Sequence, residues 1–118
     1  MALTGSITIQ GSVSGANSGS KTIGPVTITP TTPIIPTTVA DLLVTEVAVA
    51  VPALANGVMV VFPAANTQTV TYRSQTGSGG NRVSKTQPFV MCFDAAAIPA
   101  SIYFICGGTV AGVEFCWF

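Results

Sequence analysis

Six short apolar and β-branched runs, spaced about ten residues apart, limit what this chain can fold into more than any other feature. From Asp41 onward they read LLVTEVAVAV, GVMVVF, TQTVTYRS, PFVMCFD, SIYFICGG and GVEFCWF. Turn chemistry punctuates them: ANG and PAAN bracket the second, TGSGGNR follows the third, and AAAIPA follows the fourth. In the first run Val47, Val49 and Val51 share one parity and alanine fills the other. In the third, Val70 and Tyr72 alternate with Thr69, Thr71 and Arg73. This period of two belongs to strands. An amphipathic helix could be drawn only on TVADLLVTEVA, where valine and threonine disfavour it. The pattern predicts an all-β chain, an antiparallel β-sandwich or jelly-roll-like single domain over residues 39–118.

Residues 1–38 differ in kind. They are rich in Gly, Ser, Thr and Pro and carry two look-alike pieces, GSITIQG and GPVTITP, each with β-branched residues alternating around a Thr-Ile pair. The stretch SVSGANSGSK between them reads as a loop. In TPTTPIIPTT, Pro30, Pro33 and Pro36 recur every third residue and impose extended or polyproline geometry. The segment is therefore an extended N-terminal arm ending in a proline strap. The strap serves either as a surface linker or as a docking peptide laid across a partner.

Composition removes many functions. Charged residues are 7% of the chain, against about 25% in a typical soluble domain. Asp41, Glu46, Asp94 and Glu114 balance Lys21, Arg73, Arg82 and Lys85, for a net charge of zero. Such a chain has no basic stripe for nucleic acid and little repulsion between copies. No run approaches the roughly 20 apolar residues of a membrane helix, and the N-terminus lacks the basic and apolar regions of a signal peptide. Synthesis in a cytoplasm is expected, and three widely spaced cysteines fit that compartment better than a disulfide framework.

The chain contains no histidine, so the commonest general base and metal ligand is missing. Cys92, Cys106 and Cys116 each lie within a strand candidate and read as small apolar residues, with no adjacent cation to make a thiolate. GSGGNR lacks the lysine and the helix of a phosphate-binding loop and reads as a hairpin tip. Glu46 and Glu114, each inside an apolar strand, are expected to face solvent or to pair with Arg73 or Arg82 across strands. No catalytic residue, metal or cofactor is expected.

Several runs, VMVVF, FVMCF and IYFIC, are apolar on both parities. A sandwich wet on its outer faces should alternate more cleanly, so an outer face is expected to be covered by a partner. The last run is similar: Val113, Phe115 and Trp117 would fill the sandwich, while Glu114, Cys116 and Phe118 take the other face. Phe118 would close the bottom of the barrel or meet an identical neighbour near a symmetry axis, since an exposed apolar strand risks edge pairing.

The order of these elements resembles small structural proteins of tailed bacteriophage virions. The residues that carry the likeness are VAVAVPALANGVMVVFPAANTQTVTYR, TGSGGNRVSKTQPFVMCFD and GGTVAGVEFCWF, about two thirds of the chain. The resemblance implies a β-sandwich head decoration (cement) or minor capsid-type protein. The expected function is then mechanical: the chain self-associates, with a trimer as first expectation, and binds the major capsid protein in the virion. Contact residues would be Ile7, Ile9, Val26 and Ile28 in the arm and Phe115, Trp117 and Phe118 in the last run. The alternative is a receptor- or glycan-binding sandwich module of a tail or fibre. That module would need aromatic residues in its loops, whereas these aromatics lie in strands or at their ends.

Overall fold

The computed structural model describes the backbone of residues 7–15 and 19–28 and the whole of 37–118. The described residues are all-β, with no helix and hence none long and apolar enough to cross a membrane. The chain divides into two units, residues 1–34 with Phe118 and residues 35–117.

The first unit is an antiparallel ribbon of β1 (Ile7–Gly15) and β2 (Gly19–Ile28). Its strands are the two look-alike pieces: Ile7 pairs with Ile28, Thr8 with Thr27 and Ile9 with Val26. Beyond Ile9 the register shifts, with Gly11 opposite Ile23. Gly24 and Pro25 thus oppose Gln10 alone, a bulge, which is where a strand tolerates proline. Most of the stretch read as a loop is strand, because its small residues continue the ladder to Gly15 and resume it at Gly19. The proline strap lies outside the described residues.

The second unit holds eight strands. They are β3 (Thr38–Leu42), β4 (Val47–Ala50), β5 (Gly57–Val61), β6 (Val70–Arg73), β7 (Asn81–Val83), β8 (Phe89–Cys92), β9 (Ser101–Cys106) and β10 (Val110–Trp117). They form two antiparallel sheets of order β3-β10-β5-β8 and β4-β9-β6-β7, a β-sandwich. The pairing is nested: β3 with β10, β4 with β9, β5 with β8 and β6 with β7. One long antiparallel ribbon, turned at the β6–β7 hairpin, has been folded over on itself.

Two elements depart from the sequence reading. LLVTEVAVAV is not one strand. The chain leaves the first sheet at Leu42 and enters the second at Val47, so Leu43–Glu46 must bridge the two layers. The Cys106 N–H ties this bridge down by donating to the Leu43 carbonyl at 2.9 Å. Asn81 and Arg82, read as loop, are strand residues of β7, paired with Tyr72 and Thr71.

Alternation places the core. Val58 and Val60 of β5, Ile102 and Phe104 of β9, and Val113 and Phe115 of β10 are at most 1% exposed. Phe104 lies at the centre of an aromatic chain that spans both sheets. Its ring centroid is 5.7 Å from Tyr72, 6.4 Å from Phe89 and 5.8 Å from Phe115, which stacks on Trp117 at 6.1 Å. Full burial of each such side chain contributes about 1.5–3 kcal/mol. Trp117 keeps its one polar atom satisfied by donating Nε1–H to Thr38 Oγ1 at 2.9 Å.

Candidate functional site

Three surface features stand out on this scaffold: a latched loop, an apolar sheet face and a cleft between loops.

The latch begins at Glu46, just before β4, and Arg73, at the end of β6. Both strands pair with β9, one on each side of it. The Arg73 Nη1 donates to Glu46 Oε2 at 2.9 Å, so this ion pair crosses the outer surface of β9, where Tyr103 lies opposite both Ala48 and Arg73. The same carboxylate oxygen accepts the Gly77 N–H at 3.2 Å. The β6–β7 loop is therefore folded back against the second sheet. Gly80 permits the fold-back: its φ is +76°, and a Cβ there would sit 2.5 Å from the Tyr72 carbonyl oxygen. The hydrogen bond from Arg73, then that from Gly77, holds the Glu46 carboxyl below its ordinary range; partial burial opposes them, and Thr76 and the Arg73 charge add to the lowering. Of the outcomes the sequence left open for Glu46, solvent or a pair with Arg73 or Arg82, the structure shows the pair with Arg73.

The apolar face lies on the outside of the first sheet. Burial of Val113, Phe115 and Trp117 turns Glu114 and Cys116 outward, and burial of Val58 and Val60 turns Met59 and Val61 outward. Register then assembles a row of Cys116, Met59 and Val90 across β10, β5 and β8, beside a row of Val39, Glu114 and Val61 across β3, β10 and β5. Val39 is 63% exposed and Val90 39%. Glu114 is the one charge within these two rows.

The cleft, of about 260 Å³, opens between the β5–β6 and β9–β10 loops and is lined by Asn66, Thr67, Gln68 and Thr109 with Pro63 and Ala65. Asn66 is spent on structure: it donates to the Gln68 and Lys85 carbonyls and accepts the Gln68 N–H. The Gln68 side chain lies against Gly108, where a Cβ would be 2.5 Å from its oxygen. No charged or aromatic side chain lines the cleft.

Phe115 and Trp117 are core residues, and Phe118 is buried outside that core cluster. The apolar surface of Phe115 and Trp117 is already covered by the core of the second unit. Ile7, Ile9, Val26 and Ile28 face one another in register in the ribbon, while their side chains lie outside what the structure describes. The three cysteines separate: Cys106 is buried and its thiol is pushed up by that burial, Cys116 is half-buried, and Cys92 is exposed. The reading of the three as buried, small apolar residues therefore holds in full for Cys106 alone. Comparison with family models, curated proteins and solved structures finds no match to the chain.

Proposed function

We propose that this chain is a non-enzymatic structural protein of a virion, a capsid decoration protein of the kind its sequence resembles. It is made in a host cytoplasm, associates with copies of itself and binds the major capsid protein. The apolar outer face of the first sheet is the observation that carries this reading. A sheet face exposed to water is normally polar, and a contiguous apolar one marks a protein contact. Covering it would hold shell subunits together at about 25 cal/mol per Å² buried. The nested strand order adds support, because double-sheet jelly rolls recur in viral shells. Residues 1–34 supply a second contact by strand addition across a neighbour.

The cleft favours one other reading. Its amide and hydroxyl groups suit a neutral glycan, as in a receptor-binding sandwich, though it offers no ring on which a sugar could stack.

Co-sedimentation distinguishes the two. Purified protein is mixed with shells assembled from the major capsid protein encoded in the same genome. Saturable binding that raises the melting temperature of the shells is expected. Failure to co-sediment, with retention on immobilised glycans, would overturn the capsid reading in favour of the other.

A further inference from the structure

The sandwich has four edge strands, and they are not equally guarded. β3 carries Asp41, and β7 carries Arg82 in its centre. β4 begins beside the Glu46–Arg73 latch and shows only Ala48 and Ala50 on its outward parity. β8, Phe-Val-Met-Cys, holds no charge and no proline, and both Val90 and Cys92 are exposed. Charges and prolines within the strand are two of the usual means of blunting an edge, and β8, four residues long, holds neither.

Its free backbone groups can be assigned. The Phe93 N–H donates to the Asn56 carbonyl at 2.7 Å, and the register runs on through Cys92 opposite Gly57, Met91 opposite Val58 and Phe89 opposite Val60. Antiparallel ladders bond at alternate residues. Phe89, Met91 and Phe93 therefore turn their backbone groups to β5, and Val90 and Cys92 turn theirs to the open edge.

We infer that a second copy of this chain adds its own β8 to this edge, antiparallel about a two-fold axis at Met91. This register pairs Val90 with Cys92 of the second copy and Cys92 with Val90 of the second copy, which engages every free donor of the strand. The ladder stops where Asp94 meets the partner's Pro88, which has no N–H. The two Asp94 side chains stay at opposite ends of the contact. A copy is the occupant that the charges favour. Self-pairing at β7 would set Arg82 against its own image, and self-pairing at β3 would bring two Asp41 side chains within diagonal reach. Pairing at β8 opposes no like charges, and the chain's net charge of zero adds no repulsion. The result is one continuous eight-stranded sheet in which the apolar row of Cys116, Met59 and Val90 runs on into the second copy.

An isologous contact closes at two, so a pair replaces the trimer expected from the sequence. The ladder is short, and the pair should dissociate on dilution. This inference rests on the self-association in the reading above. A monomer that still co-sediments with shells would overturn the β8 pairing together with the self-association, and leave the capsid binding of that reading standing.

Sedimentation velocity over a hundredfold concentration range tests it. Wild type should pass from monomer to dimer, while Val90→Lys, placed on an exposed side chain and checked for folding by circular dichroism, should stay monomeric. Disulfide trapping fixes the register. Hydrogen-bonded partners sit about 5.5 Å apart at Cα, within disulfide range. With diamide added as the two-electron oxidant, Val90→Cys should therefore form a covalent dimer through Cys92 of the second copy, and adding Cys92→Ser should abolish it. A wild type monomeric throughout, a dimer that Val90→Lys leaves intact, or trapping that survives Cys92→Ser would each overturn the proposal.

Discussion

Asp41 accepts a hydrogen bond from the Gly112 N–H at 2.9 Å, joining residues 71 positions apart in sequence. The bond closes a bulge in β10: Val110 pairs with Leu42 but Val113 with Ala40, so β10 carries an extra residue there. Gly112 takes φ +71° to absorb it. A Cβ at Gly112 would meet nothing within 4 Å, so Gly112→Ala should cost only the backbone strain, about 1–2 kcal/mol. Gly80→Ala adds a collision with the Tyr72 carbonyl to a similar φ and should cost more. Urea unfolding midpoints of the two variants give the order.

Phe104 is fully buried and touches rings from both sheets. Phe104→Ala should destabilise by about 3–5 kcal/mol, the range for deleting a core phenyl ring. Trp117 lies at the far end of the same aromatic chain. Its fluorescence, followed through chemical unfolding, measures the loss, and a cost under 1 kcal/mol would contradict the packing described.

Glu46 sets a pH dependence with a definite sign. Its carboxyl is held below the ordinary value of 4.5 in the folded protein. The stability it contributes is therefore complete above that value and is lost as pH falls through the lower folded one. Glu46→Gln should lower the unfolding midpoint at pH 7, and the gap from wild type should close as pH falls through the lowered value of the folded carboxyl. Amide exchange at Gly77 should quicken in the variant, because its N–H loses a charged acceptor.

Thiol chemistry should resolve the three cysteines in order. Exposed Cys92 reacts first with a disulfide reagent and half-buried Cys116 more slowly. Cys106 is buried, with its thiol pushed up by burial, and reacts only on unfolding. Mass mapping of timed samples reads the order, and early labelling of Cys106 would show that the core opens locally.

Much of the fold was legible because alternation survives even in this apolar chain. Phe115 and Trp117 against Glu114 and Cys116 sort correctly on parity, whereas VMVVF, apolar on both parities, could not tell Val58 and Val60 from Met59 and Val61. The break at Leu43–Glu46 was not legible, since Leu, Val and Thr there suit a strand as well as they suit a bridge between sheets. The short strand β7 was masked by Gly79 and Gly80, which mark the turn and hide the pairing after it. For the candidate site, a Glu46–Arg73 pair was among the outcomes the sequence left open, but the Gly77 N–H was not, because a backbone donor leaves no mark on composition. Nor could β8 be recognised as an edge, because strand order follows from the nested pairing and not from any one run.

The nesting also governs when the domain can form. β10 lies inside the first sheet, between β3 and β5, although it follows all seven other strands of the sandwich in chain order. Until Val110–Trp117 emerge, β3 has no neighbour and the inner edge of β5 is bare. Local pairing can advance only outward from the β6–β7 hairpin, and the partnership that closes the sandwich spans the greatest sequence separation. Such topologies fold in milliseconds to seconds, well behind helical ones. Each nascent chain thus carries an open, apolar half-sheet until Val110–Trp117 emerge, and the wait for that one central strand sets the period in which it is most prone to aggregate.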